Sequence, residues 1–346
     1  MLVGAVLVMG AILGCRSAAL AMAAGLSIGR SPFLRIDNHP QHNRKRNDRH
    51  GDDDDNMEEG IQEMKRQKTL KERADLFKMV GNSDHAFLAA AYLQWDSLSQ
   101  GGGDRKRFCE LLGLSFTGMR DMKQLVRQLG SSLSAAGYVD SIEADRNNNS
   151  WRTIRACAVA ALAPGQLVRV QRPSTKYAET VEGAVEKDGE ARELRFYISA
   201  ALDNDEKDNE TKSGIYRGYH GVAEERVFIH PSSSNFSTGN YSCPWLVYHD
   251  LVRTSKPFLR DATECSAYAL LLFGGRLEVQ AANATIVVED WVRLSANARI
   301  GSLIGGLRRK MDDLLTRKVE DPSFDVANTA EMKLIRSLLV TDGMGQ

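Results

Sequence analysis

Apolar residues recur at spacings of three and four along the first half of the chain and at spacings of two along the second, with the change near Pro164. The first half therefore reads as helices. Met1–Gly14 and Ala18–Leu26, rich in alanine and glycine among Leu, Val and Met, predict short buried helices whose backbones approach closely. At Gly81-Asn82-Ser83-Asp84-His85, Ser83 or Asp84 can cap a helix that carries Phe87, Leu88, Ala91, Tyr92, Trp95 and Leu98 on one face. Gly101–Gly103 end it. Further helices are predicted over 104–112, from Gly118 to Gly137 with Met119, Met122, Leu125, Val126, Leu129 and Leu133 in phase, and over 151–162 before Pro164-Gly165.

Beyond Pro164, short runs rich in β-branched and aromatic residues predict strands at about 164–173, 191–200, 225–231, 244–250, 268–273, 276–281 and 284–294. A last helix, Ile300–Lys318, sets Ile300, Leu303, Ile304, Leu307, Met311, Leu314 and Leu315 against a core. The expected class is α+β: an N-terminal helical bundle, a small antiparallel β-barrel, and C-terminal helices.

Composition adds limits to this picture. The 346 residues, 42% apolar and 26% charged, suit about two globular domains. With 45 basic against 45 acidic groups, only the local placement of charge can support a nucleic-acid role. The five cysteines lie at least 22 positions apart, which excludes C-x-x-C zinc and dithiol motifs and suggests reduced, buried thiols. Residues 1–29 carry a single charge, Arg16, in mid-stretch and lack a basic leader, so neither a signal peptide nor a membrane span is expected. Gly25-Leu26-Ser27-Ile28-Gly29 matches a hydrolase elbow in letters, but Ser27 follows a helical run, and the match reads as accidental.

The region 35–78 is nearly devoid of large apolar residues at its start. Between Arg35 and Asp75 it gathers 10 basic and 11 acidic side chains, and it reads as a disordered charged insertion. His39, His42 and His50 near Asp52–Asp55 fix no metal geometry. A second disordered loop is expected near 201–214. The chain has no Gly-Lys dipeptide and hence no phosphate loop, and it has neither H-E-x-x-H nor G-x-G-x-x-G.

Chemistry concentrates in His230-Pro231-Ser232-Ser233-Ser234-Asn235 and in the segment holding Arg253, Lys256 and Arg260. Hydroxyls, an amide and an imidazole sit at one strand end, with three cations around the next turn: donors suited to phosphates. From Arg226 to Lys318 there are 12 Lys/Arg against 8 Asp/Glu, a modest local excess. Trp245, Tyr248, Tyr268 and Phe273 alternate with Leu and Val and read as core rather than as base-stacking platforms.

The order HPSSSN, WLVYH, TSK, LRDAT, LLFGG and then Asp290-Trp291-Val292 resembles the C-terminal region of DExH-box (DEAH/RNA helicase A family) ATP-dependent RNA helicases. Gly81–Leu88 with Ala91, Tyr92 and Trp95, together with Gly10–Cys15 and Leu26–Phe33, is similar to the family's helical ratchet domain. Pro322–Val340 and Asp84–Trp95 look most like the member that works in translation initiation on the small ribosomal subunit. Ser234 stands where the family has Val or a similar residue.

The resemblance implies opening ratchet helices over 1–34, the rest of that domain over 79–163, an OB-fold barrel over 164–299 and C-terminal helices over 300–346. It implies that ratchet and barrel close a channel over single-stranded RNA, with His230, Ser232, Ser233, Asn235, Arg253, Lys256 and Arg260 as RNA-binding residues. ATP and magnesium belong to the family's motor lobes, whose motifs these residues lack. The chain is therefore expected to be a piece of a longer helicase, to hold no cofactor and to be inactive alone, in the cytoplasm. The alternative is a protein-interaction module that docks helicase-activating proteins or the small ribosomal subunit.

Overall fold

The computed structural model describes residues 2–29, 31–36, 52–99, 102–172, 177–180, 183–186, 194–200, 215–217 and 222–343, with backbone alone over 52–59, 177–180, 183–186 and 215–217. The expected loop over 201–214 and the part of the charged insertion at 37–51 lie outside the described residues.

The helical part opens with α1 (Leu2–Leu13) and α2 (Arg16–Ile28), which pack against each other. Their close approach needs glycine, since a Cβ on Gly10 would lie 2.0 Å from that of Ala19. Arg16 is buried, and it donates to the Gly130 carbonyl and the Ser134 hydroxyl and pairs with Asp140 at 3.2 Å. Ser27 lies inside α2 with its hydroxyl on the Ala23 carbonyl, so the elbow match is accidental. Next comes α3 (Asp52–Val80), which corrects the expectation of disorder over this part of 35–78. Its charges support a helix at i,i+3 and i,i+4, where Arg66 and Gln67 donate to Glu63. Its last turns bury Leu76 and Val80, and Arg73 clamps the carbonyls of Leu34, Leu112 and Gly113.

Ser83 caps α4 (Asp84–Ser97), accepting from the Ala86 N–H. The predicted helices follow as α5 (Gly103–Leu112), α6 (Phe116–Ala135) and α7 (Trp151–Leu162).

The strands are β1 (Leu167–Gln171), β2 (Tyr177–Thr180), β3 (Gly183–Glu186), β4 (Arg195–Ser199), β5 (Ile215–Arg217), β6 (Ala223–Ile229), β7 (Trp245–Arg253) and β8 (Pro257–Glu264). Strands pair in the order β4-β1-β7-β8-β6, and β4 also pairs with β6, which closes a five-stranded barrel. All pairs around the barrel are antiparallel except β6 with β8, which run parallel. Val168, Val170, Ile198, Val227, Ile229, Leu246, Tyr248 and Leu259 fill its interior. β5 adds to β6 outside the barrel, and β2 and β3 form a separate hairpin.

Three expectations change here. Residues 257–264 form a strand rather than a turn. The run at 268–273 belongs to a helix, α8 (Ala267–Phe273), capped by Ser266; periodicity alone cannot separate a fully buried apolar run from a strand. The later strands β9 (Leu277–Gln280), β10 (Thr285–Val288) and β11 (Val292–Ser295) form their own sheet, so the barrel ends at Glu264 and not near 299. Trp245 of the barrel meets Trp291 edge-on at 5.0 Å, fastening this sheet to it. The chain closes with α9 (Ala298–Glu320) and α10 (Ala330–Thr341). Among the described residues no helix is long and apolar enough to cross a membrane.

Candidate nucleic-acid interface

The loop after β6 is shaped by one carboxylate from the helical half. Asp84, buried in the first turn of α4, accepts from the Ser233 hydroxyl at 2.6 Å, the Ser234 N–H at 2.8 Å, the Ala262 N–H at 2.9 Å and the Asn235 amide at 3.2 Å. Burial and then Asp261 push its carboxyl up, against the pull of the bonds from Ser233, Ala262 and Asn235. The Asn235 amide also donates to the Ala262 carbonyl, and the Tyr241 hydroxyl donates to the Asn235 side-chain oxygen. Ser233 and Asn235 are thus almost wholly buried and committed to joining barrel and helices. Their side-chain donors, expected from the sequence to meet RNA, are all taken up inside the protein.

Beside this network Thr263 bonds Ser83 and His85, each at 2.7 Å. Burial pushes His85 down to about 4, and His249 adds to this while Asp84 opposes it. The imidazole is therefore neutral at neutral pH.

The outer residues of the loop behave differently. The Ser232 N–H donates to His230 Nδ1 at 3.1 Å, which makes Nδ1 an acceptor and leaves the ring proton on Nε2. Burial, then Arg260 and Arg35, lower the His230 pKa, which favours this neutral donor. Ser232 is exposed.

The parallel pairing of β6 and β8 sets Phe228 beside Phe258 and Ile229 beside Leu259. Ile229 and Leu259 point into the barrel, so the alternation turns Arg226, Phe228 and His230, with Lys256, Phe258 and Arg260, to the outside. The two phenyl rings lie 6.1 Å apart. The Lys256 ammonium stands 4.7 Å and the Arg226 guanidinium 5.1 Å from the Phe228 ring centre, and His230 meets Phe258 at 5.8 Å. Among the described residues neither Lys256 nor Arg260 has a carboxylate partner.

Arg253 is placed elsewhere. It is 59% exposed, but both its terminal nitrogens lie on the Glu225 carboxylate, one at 2.7 Å, and this bond holds its pKa up. Of the seven residues expected from sequence, the structure gathers His230, Ser232, Lys256 and Arg260 on one face, neutralises Arg253, and buries Ser233 and Asn235.

On this outward barrel face aromatic and cationic residues alternate, the side-chain types that meet single-stranded nucleic acids. Comparison with known families agrees. Residues 2–88 match the helicase associated domain (HA2), ratchet-like; residues 154–277 match the oligonucleotide/oligosaccharide-binding (OB)-fold; residues 284–341 match the C-terminal domain in RNA helicases. These are the C-terminal domains of a DExH-box helicase.

A DEAH-box ATP-dependent helicase of Mycosarcoma maydis is 30% identical over 312 residues, covering 81% of this chain and 18% of that protein. The human ATP-dependent RNA helicase DHX29 is 27% identical over 277 residues, 79% of this chain and 18% of its own length. The Arabidopsis thaliana DExH-box ATP-dependent RNA helicase DExH1 is 28% identical over 342 residues, 98% of this chain and 27% of its own. The chain therefore spans about a fifth to a quarter of the length of these curated relatives.

The sequence lacks a phosphate loop, and no group of three His, Cys, Asp or Glu able to hold a metal occurs among the described residues. Sequence reasoning missed Asp84 as the organiser of the loop, Arg35 beside His230, and the pair Phe228 and Phe258. One signal for the last was present: Arg226-Val227-Phe228-Ile229-His230 and Lys256-Pro257-Phe258-Leu259-Arg260 repeat one pattern of cation, apolar residue, phenyl, aliphatic residue and nitrogen donor.

Proposed function

We propose that this chain supplies the single-stranded RNA grip of an ATP-dependent RNA helicase, with barrel and ratchet helices forming one wall of the RNA channel. The observation that carries this reading is the parallel register of the two matching runs. It sets the Phe228 and Phe258 rings side by side on the barrel's outer face, with Arg226 and Lys256 over Phe228 and His230 against Phe258, while neither Lys256 nor Arg260 makes an ion pair among the described residues. Such a surface tracks phosphates and stacks on bases with little sequence preference. In this reading the His230 Nε2–H donates to phosphate or 2′-hydroxyl oxygens, while the Ser232 hydroxyl, which gives its proton to His230 Nδ1 at 2.7 Å, accepts from a 2′-hydroxyl. ATP turnover with magnesium belongs to motor lobes and not to the residues present.

The test is fluorescence anisotropy of a mixed-sequence single-stranded RNA against salt. Each phosphate contact removed should flatten the log–log slope by about 0.7. Lys256→Ala and Arg260→Ala are each expected to do so. Absence of RNA binding at low salt, with retention of a helicase-activating protein or ribosomal surface instead, overturns the reading in favour of a docking module.

A further inference from the structure

Behind the barrel face, a cleft of about 1100 Å³ opens between the HPSSSN loop on one side and α3 with residues 33–36 on the other. This is the size of a large small-molecule site, at the top of the roughly 300–1,000 Å³ range. Its walls expose large apolar side chains that a folded protein ordinarily covers: Phe236 is 59% exposed, Leu34 53% and Leu70 37%. Phe236 is not loosely held. It sits in the 3-10 turn Ser234–Ser237, whose neighbours Ser233 and Asn235 are tied to buried Asp84. A fixed loop thus presents a bare phenyl ring.

The charge of the cleft is one-sided. Arg35 and Lys78 line it without a carboxylate partner among the described residues. Its one acid, Glu264, is buried and accepts from the Asn82 amide and the Cys243 N–H, each at 2.8 Å. Ser232, Ser237, Thr238 and Asn240 add short polar groups beside the aromatic ring. Cations, a bare aromatic and short hydroxyls together suit an anion that carries flat, edge-polar rings.

We infer that this cleft is a nucleobase pocket: it receives unstacked bases of the same RNA strand whose phosphates follow the His230, Lys256 and Arg260 face, with one base stacked on Phe236. His230 and Ser232 belong to both the face and the cleft wall, which makes the two continuous, and the inference rests on the RNA-grip reading. An acidic peptide with apolar anchors is the rival occupant, and it lacks that continuity.

The test compares, on the full chain, a base-bearing oligonucleotide with one of equal length and charge that has abasic residues at successive positions. Loss of the pocketed base should weaken binding by roughly 5- to 100-fold, the equivalent of a stacking contact. Phe236→Ala should remove this preference while retaining the abasic affinity, and Leu70→Ser, which strips the apolar opposite wall without adding charge, should reduce it. Both sites are exposed, and unchanged melting curves confirm the fold. Lys256→Ala should weaken both ligands equally. Equal affinity of the native chain for both ligands overturns the pocket and leaves the grip standing. Failure to bind either overturns both. A preference that Phe236→Ala leaves intact, or displacement from Phe236 by an acidic peptide that leaves RNA bound, also overturns the pocket.

Discussion

Within the loop from His230 to Thr238, neighbouring residues meet opposite fates. Ser233 and Asn235 face inward onto Asp84 and are buried, whereas Ser232 and Phe236, one residue to either side, stand in solvent. The difference comes from the 3-10 turn, which points successive side chains in different directions around one buried anion. Inner residues hold barrel to helices; outer residues are left to meet a ligand. The lesson is that a polar motif is a scaffold and a surface at once, and only its packing tells which residue is which.

The largest break of this contrast is expected at the anchor. Asp84→Ala leaves the donors of Ser233, Ser234, Asn235 and Ala262 buried without an acceptor and should cost about 3–5 kcal/mol by urea unfolding. A loss under about 1 kcal/mol would mean that water replaces the carboxylate.

Next in size is a pH effect from His85. Its pKa of about 4 lies below the ordinary 6.5, so the folded protein binds fewer protons than the unfolded chain between those values. Its contribution is intact above pH 6.5 and is lost as pH falls toward 4, by up to about 3 kcal/mol. Asp84, displaced upward, works in the opposite direction at the acid end, so the comparison with His85→Asn isolates the imidazole. That variant should flatten the stability curve over this window.

A third comparison sets Arg253 against Lys256. Arg253→Ala should change RNA affinity less than Lys256→Ala, because Glu225 already neutralises it, and should cost at most about 1 kcal/mol of stability. Equal effects would show that Glu225 releases Arg253 to RNA. The smallest effect is expected at Ser232, where Ser232→Ala should change stability by no more than about 0.5 kcal/mol.

Much of the fold was legible along the chain. Helix starts were marked by Ser83 and by the glycine breaks, and most barrel strands by alternation, because local capping and period-two patterning act within a few residues. α3 was misread because its charges alone suggest a solvated coil; what holds its C-terminal turns is contact with Leu112 and Gly113, far along the chain. α8 was misread because a run buried on every side has no periodic signature. At the candidate site, the donor chemistry of His230, Ser232, Lys256 and Arg260 was legible in the sequence, and the fold leaves these four at the surface. The burial of Ser233 and Asn235 was not legible, because their partner, Asp84, lies about 150 residues earlier.

The sequence by itself determined a helical half, a small β-barrel and a stretch rich in phosphate donors, since each is written in short-range pattern and side-chain chemistry. Tertiary structure alone decided which donors remain free. It set the parallel register that matches Phe228 with Phe258, diverted Arg253 to Glu225, and buried Asp84 under the loop. The physical reason is that a buried charge must find its hydrogen bonds wherever the fold brings them, and the neighbours that compete for a donor are set by packing rather than by order along the chain.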